Sequence, residues 1–296
     1  MLSILLPVYN FPCLKLVKTL SEQGSKLSIP FEIICMDDAS TQYRKENQAI
    51  AAVPHARYIE LPENIGRSRI RNRLAAQAKY DNLLFMDCDS EIRTPDYIAK
   101  YVATIQDRDF VSGGTLYASQ PPSDHQYYLH WKYGVHREPK PNTQCKAVFT
   151  SNNFLIKKKI ILKYPFNENI VRYGHEDTIF QLELEQHGIR LQYIVNPVVH
   201  IGLETNRAFL SKTEDSIRNL YDMYRSGILD NFNIKKIRLL YTYLCLKKYH
   251  LTRFLVITAP IIRIIHRKIN FGKHPNLILF DVYKLAFLSR IFYDKS

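Results

Sequence analysis

The sequence predicts an α/β fold: a mostly parallel sheet flanked by helices, with a helical appendage at the C-terminal end. Three observations predict it. Short apolar runs alternate with amphipathic stretches over the first 114 residues, as strands joined through crossover helices do. Polar strings rich in acid follow several of those runs, at the carboxyl ends of strands where such sheets collect ligands. Beyond residue 205 only helical periodicity remains. Residues 1–205 therefore read as one α/β domain, with halves near 1–114 and 115–205, and 206–296 as a basic helical region.

Taken in order, "SILLPV" (3–8) is the first strand, and it begins almost at once. It lacks the basic stretch and the longer apolar run of a secretory signal. Residues 12–24 are helical up to Gly24. "FEIICM" (31–36) is the second strand, followed by "DDAS" (37–40), a helix over 42–52 and a strand at "RYIEL" (57–61). A helix from Gly66 to Lys79 carries Ile70, Leu74 and Ala78 on one face at i, i+4, i+8. "LLFM" (83–86) is a buried strand; a helix follows Pro95, then "DFVSGG" (109–114). Residues 115–146 look irregular, with prolines and a Tyr/His/Trp-rich string, "HQYYLHWKYGVH", that holds the single tryptophan, Trp131. A strand near "AVFTSNNFLIKK" (147–158), a helix over 176–187 ended by Gly188, and strands "IRLQYI" and "PVVHIG" follow. Four helical stretches, near 212–226, 233–249, 251–268 and 276–292, complete the chain.

At 296 residues the chain can bury one large core, or a domain of about 200 residues plus an appendage. Five scattered cysteines (Cys13, Cys35, Cys88, Cys145, Cys245) show no zinc or CxxC spacing, which favours a reduced, cytoplasmic setting over a disulfide framework. The net charge of +13 is unevenly placed: residues 207–296 hold 17 Lys+Arg against 6 Asp+Glu. Such a tail suits an anionic partner. Nucleic acid is not expected, because the charge lies away from the acid-bearing strand ends and no recognised motif is present. The best apolar run of the tail, Phe254 to Ile265, is interrupted by Pro260 and Arg263 and is too short to span a membrane. With Arg253, Arg263, Arg267 and Lys268 around it, two readings stand: an interfacial helix on the inner face of the cell membrane, or a packed appendage with a solvated basic face.

Four strings carry candidate chemistry. "DCD" ends the strand 83–86, so Asp87 and Asp89, two apart, can converge on one point. Two close carboxylates repel; Mn²⁺ or Mg²⁺ would relieve that, and so would a turn in which Asp89 or Ser90 caps the next helix. "GRSRIRNR" sets Arg67, Arg69, Arg71 and Arg73 at a helix start, against the macrodipole. That is either an anion cradle, with Arg67 and Arg71 on one face, or a solvated basic face. Glu176 and Asp177 open the helix 176–187, as dipole-matched acids or as a general base and its neighbour. His200 closes an apolar strand, as a core histidine or a metal ligand.

In their order, "LLPVYN", "DDAS", "NIGRSRIRN", "DCD", "GHED" and His200 resemble the inverting family 2 glycosyltransferases, over roughly residues 2–202. The resemblance implies a GT-A fold, a Rossmann-like mixed sheet, and transfer of a sugar from a nucleoside diphosphate sugar, UDP-sugar first, to a glycan or polyprenyl-linked acceptor. It implies hexosyl or N-acetylhexosaminyl transfer in polysaccharide biosynthesis, assisted by Mn²⁺ or Mg²⁺. It places Pro7, Val8 and Tyr9 along the nucleotide base and Asp38 in hydrogen-bonding reach of it. Arg71, with Arg67 assisting, falls near the ribose or diphosphate, and Asp87 near the ribose and sugar. Asp89 and His200 fall on the metal, Asp177 on the general base and Glu176 beside the acceptor. Two departures stand out. Ile70 replaces a small residue, and "SNN" (151–153) replaces a glycine-containing stretch, leaving Asn152 and Asn153 to face the donor sugar. A binding module that holds nucleotide sugar without catalysis is the alternative, and the intact Asp38, Asp89 and Asp177 speak against it.

Overall fold

The computed structural model describes residues 1–138 and 149–295; Cys145 and the start of the strand expected over 147–158 lie outside them. The chain runs β1 (Leu2–Val8), α1 (Leu14–Gly24), β2 (Phe31–Asp37), α2 (Arg44–Gln48), β3 (Ala56–Glu60), α3 (Arg67–Gln77), β4 (Asn82–Met86), β5 (Ser90–Glu91) and α4 (Tyr97–Val102). It continues β6 (Phe110–Ser112), β7 (Thr115–Leu116), α5 (Tyr128–Arg137), β8 (Asn153–Lys157), α6 (Lys158–Lys163), α7 (Glu176–Gln186), β9 (Gln192–Tyr193) and β10 (Val198–His200). The remaining helices are α8 (Asn206–Arg225), α9 (Asn231–Lys236), α10 (Arg238–Lys248), α11 (Thr252–Asn270) and α12 (Leu277–Asp294).

Two compact units divide these elements. The first holds residues 1–118, the described part of 138–171, and 176–202. Its main sheet has the order β3-β2-β1-β4-β8-β6-β9. β1 pairs in parallel with both β2 and β4, β8 runs antiparallel to β4 and β6, and the sheet is therefore mixed. Alternation along β1 sends Ile4, Leu6 and Val8 to one face, against Val17 and Leu20 of α1 and Ile98 of α4. Leu5 points to the other face, with Ile70 and Leu74 of α3 and Phe180 of α7. A second sheet, β5-β10-β7, was hidden in the sequence because none of its strands exceeds three residues.

The second unit gathers residues 119–137, 172–175 and 203 onward, so the compact boundary is discontinuous rather than a single cut at 206. The 115–146 segment is not irregular throughout: α5 occupies 128–137. Asp124 accepts from Gln126 N at 2.9 Å and starts a 3₁₀ turn over His125–Tyr127 that leads into it. Leu129 of α5 packs with Leu210, Leu277, Phe280 and Tyr283. α8 begins six residues before the expected 212, where the Thr205 hydroxyl caps Ala208 N. The stretch expected as one helix over 233–249 breaks at Ile237.

Candidate functional site

The strand order reverses at β1, which has β2 on one side and β4 on the other. A crevice opens beyond the carboxyl ends of such a pair, and the acid-rich strings converge there. The loops after β1 and β2 are knitted to each other. Asn10 accepts from Thr41 N (2.8 Å) and Gln42 N (3.0 Å), and its own amide donates to Ser40 Oγ at 2.8 Å. Asp37 is buried, accepting from Ser40 N at 2.6 Å and from the Tyr58 hydroxyl. Asp38 accepts from Ile65 N (2.7 Å) and Gly66 N (3.0 Å). Gly66 sits at φ +84, a left-handed conformation that a side chain would disfavour. Asp38 thus fixes the entry to α3. Burial pushes its carboxyl up, against the two amides that draw it down. Tyr9 is exposed, Pro7 half-buried, and Val8 lies in the core with its carbonyl accepting from Asp38 N at 2.8 Å.

The four arginines of α3 divide. Arg67, Arg69 and Arg73 are exposed, whereas Arg71 is buried. Arg71 Nη2 donates to Asp87 Oδ1 at 2.8 Å, Nη1 stands 4.0 Å from Glu176 Oε1, and the guanidinium lies 5.7 Å from the centroid of the Phe166 ring. Arg67 reaches the same Glu176 oxygen at 3.7 Å. One buried cation therefore joins the end of β4 to the start of α7. Neither half of the earlier choice, cradle or solvated face, describes Arg71 fully: it is a bridge between acids. Ser68 and Ala75 (i−3 and i+4), small residues that fall on the same side of α3, are buried as well.

Asp87 and Asp89 have different surroundings. Burial pushes the Asp87 carboxyl up, with Arg71 pulling against it. Burial also opposes the charge on Asp89, but there the His200 imidazole prevails and holds the carboxyl below its usual range. The small sheet brings them together: His200 of β10 pairs with Ser90 of β5, and His200 Nδ1 stands 3.6 Å from Asp89 Oδ1. Against its own burial, the Asp89 carboxylate pushes His200 up to about 9. Tyr117 lies beside His200 (ring centroids 5.2 Å) and donates at 2.8 Å to Glu138, whose carboxyl burial pushes up. Neither Tyr117 nor Glu138 was visible as a site residue in the sequence, because no apolar period or acid pair flags them.

A divalent cation fits this corner in part. Asp89 Oδ1 is buried without a hydrogen-bond partner among the described residues. A Cβ on Gly202 would stand 2.5 Å from Asp89 Oδ2, so glycine keeps that side of the carboxylate clear. The positive charge that Asp89 attracts is carried here by the His200 imidazole. Among the described residues no cluster of three ligand side chains exists; a cation held by Asp89 and His200 would take its other ligands from substrate oxygens and water.

Asp177 is half-buried in the first turn of α7. Burial, then the neighbouring Glu176 charge, push its carboxyl up to about 7, with Thr178 N (2.7 Å) and the Arg71 and Arg67 charges holding it back. Glu176 is buried against those two arginines.

The sequence profile described as glycosyl transferase family 2 matches residues 3–164, more than half of the chain. The protein belongs to glycosyl transferase family 2. No protein of curated function matches the sequence. Among solved structures, this family 2 chain is similar to a mannosyltransferase from Pyrobaculum calidifontis in complex with GDP-mannose and Mn²⁺. The identity there is 16%, with 100% of this chain and 88% of that one covered at a TM-score of 0.60. It is also similar to residues 1–349 of TarS from S. aureus in complex with UDP (14%, 100% and 92%, TM-score 0.50). A third is glucosyl-3-phosphoglycerate synthase from Mycobacterium tuberculosis with Mn²⁺, UDP and glucosyl-3-phosphoglycerate (15%, 78% and 81%, TM-score 0.50). The fold is the GT-A fold of these neighbours.

Within this family 2 scaffold two expected contacts are corrected. Asn153 does not face a donor sugar: its side chain is fully buried, accepting from the Tyr97 (2.6 Å) and Tyr101 (2.7 Å) hydroxyls and donating to Gly114 O (2.8 Å) and Asn196 O (3.0 Å). With all its hydrogen-bonding capacity used, it holds β8 to α4 and to the loop after β6. The Val8 side chain is likewise turned into the core, so of that residue only the backbone is left to border the crevice. Asn152, immediately before β8, is half-buried beside the end of β4. Its side-chain oxygen accepts from Thr115 (2.9 Å) and Thr150 (3.0 Å), and its carbonyl accepts from Asp87 N (3.1 Å).

Proposed function

We propose that the protein is an inverting glycosyltransferase that moves a sugar from a nucleoside diphosphate sugar, a UDP-sugar first, to a hydroxyl of a glycan or polyprenyl-linked glycan. One observation carries the reading: Arg71 ties Asp87 at the end of β4 to Glu176 at the start of α7, which unites the two acid pairs in a single constellation. Tyr9, Pro7 and the loop fixed by Asp38 border the base. Arg67, half-exposed at the start of α3, faces the diphosphate, where a helix start favours anions. Asp87 turns its remaining oxygen toward the ribose and sugar, and Asn152 stands beside it.

Asp177 is the general base. A carboxyl raised to about 7 is basic enough to take a proton from an acceptor hydroxyl, and about half of it is ionised at neutral pH. Glu176, held between Arg67 and Arg71, orders the acceptor side. One displacement with no covalent intermediate inverts the anomeric centre. A divalent cation bound at Asp89 and His200 would neutralise charge on the departing diphosphate. Support for such a donor and ion comes from three neighbours determined with UDP or GDP-mannose, two of them with Mn²⁺.

Thermal-shift measurements with UDP, GDP and their sugars, with and without Mn²⁺, test donor and ion together. A UDP shift that Mn²⁺ enlarges, and that Asp89→Asn loses, is expected. No response to any nucleotide, with or without Mn²⁺, would remove the proposal. Turnover that survives in Asp177→Asn would remove the base assignment while leaving the donor site standing.

A further inference from the structure

α11 is apolar on two opposite sides. One side belongs to the core of its own unit: Ala259, His266 and Asn270 are buried, and Ile262 packs against the cluster of Leu210, Phe280 and Tyr283. At about 100° per residue, Phe254, Ile257, Ile261, Ile264 and Ile265 fall together on the other side. The first four are 60 to 75% exposed and Ile265 is 43% exposed. A solvated helix face carries polar residues where this one carries four isoleucines and a phenylalanine.

The charge around the stripe has one sign. Arg253, Arg263 and Arg267 follow one edge of it and Lys268 stands at its end, all exposed. Residues 231–280 contain ten Lys+Arg and not one Asp or Glu, and the first acid beyond them, Asp281, is taken by Arg137 and Lys284. α11 therefore has no acid of its own with which to neutralise its cations.

We propose that this face of α11 docks on an anionic phospholipid surface. The stripe would lie at the boundary of headgroups and acyl chains, and the arginine and lysine stems would extend along it to bring their charges to the phosphates. No helix among the described residues is long and apolar enough to cross a membrane, so α11 lies in the plane of the surface. A second copy of the chain is a poor occupant, because pairing through this face brings cations against cations. Nucleic acid is a poor one too, since the centre of the face offers aliphatic side chains in place of stacking rings or hydrogen-bond donors. The inference is independent of the reaction proposed above, and its test reads no turnover.

Flotation of the full-length chain with vesicles of phosphatidylcholine alone, or with 30% phosphatidylglycerol (a fraction on the order of that in anionic membranes), is the test. The chain should float with the anionic vesicles at least about ten-fold better, and salt should weaken that binding. Ile257→Glu with Ile264→Glu should cut it about ten-fold or more, and so should Arg253→Glu with Arg267→Glu. All four positions are exposed, so both variants should keep the melting temperature of the parent. Equal flotation with the two vesicle types, or binding that neither variant weakens, would overturn the proposal. So would a dimer that the isoleucine variant dissociates, or salt-sensitive RNA binding, in a chain that ignores vesicles.

Discussion

The two compact units handle charge in opposite ways. In the sheet unit charged groups go inside and meet each other: Arg71 with Asp87 and Glu176, Asp89 with His200. In the helical unit α11 keeps its cations outside, while one titratable group, His266, is buried between the Tyr283 and Phe280 rings (centroids 4.4 and 5.3 Å). Neither of its ring nitrogens has a hydrogen-bond partner among the described residues. Burial, then Arg267, holds it down at about 4. A protein core tolerates a charge only with a partner and otherwise keeps the group neutral. The paired charges gather beyond the carboxyl end of β4; the unpaired histidine serves as an aromatic filler.

Breaking the pairing should have the largest effect. Arg71→Leu leaves Asp87 without its cation and Glu176 with Arg67 alone, and should lower unfolding free energy by roughly 3–5 kcal/mol, measured by urea denaturation. Arg71→Lys should recover only part, since one ammonium cannot replace a fork spanning two carboxylates. Next comes Asp177→Asn, which should cut kcat about 10³-fold while UDP affinity by calorimetry stays within about three-fold, an effect well under 1 kcal/mol. The parent's kcat/KM should rise with pH through about 7 and then level, because the proposed base works in its deprotonated form.

The histidine contrast gives a third, smaller effect. His266 is held at about 4 when folded and titrates near the ordinary histidine value of about 6.5 when unfolded. Between those values the unfolded chain binds the extra proton, so this residue's contribution is complete above pH 6.5 and is lost as pH falls toward 4. His266→Phe should remove that dependence and make the variant about 2 kcal/mol less acid-sensitive between pH 8 and pH 5, read from paired urea curves. Smallest is the stabilisation expected of Asp177→Asn at pH 8. It removes a charge that burial disfavours and should gain about 1 kcal/mol, visible as a raised melting temperature without ligand. An unchanged melting temperature would mean that the Asp177 carboxylate is better solvated than its surroundings indicate.

What the sequence disclosed was governed by length of pattern. Runs such as "FEIICM" and "LLFMDCD" read clearly, since four or more apolar residues ending in acids leave few alternatives to a strand and its carboxyl end. α5 was missed because its apolar positions alternate with His, Trp and Tyr, which blur the helical period. The pairing of His200 with Asp89 depends on β5 and β10, strands of two and three residues that carry no pattern of their own. The burial of Arg71 did have a trace, in the small Ser68 and Ala75 at i−3 and i+4. The inward turn of Asn153 follows from its place opposite Met86, a register that only the sheet supplies.

The smallness of the β5-β10-β7 sheet constrains how the chain can change. Adjacent residues of a strand face opposite ways, so a single-residue insertion or deletion between Asn196 and Val199 would exchange His200 for an aliphatic neighbour beside Asp89. No substitution is needed to silence that corner. The interval from Asn196 to His200 is thus as tightly set in length as the histidine is in identity.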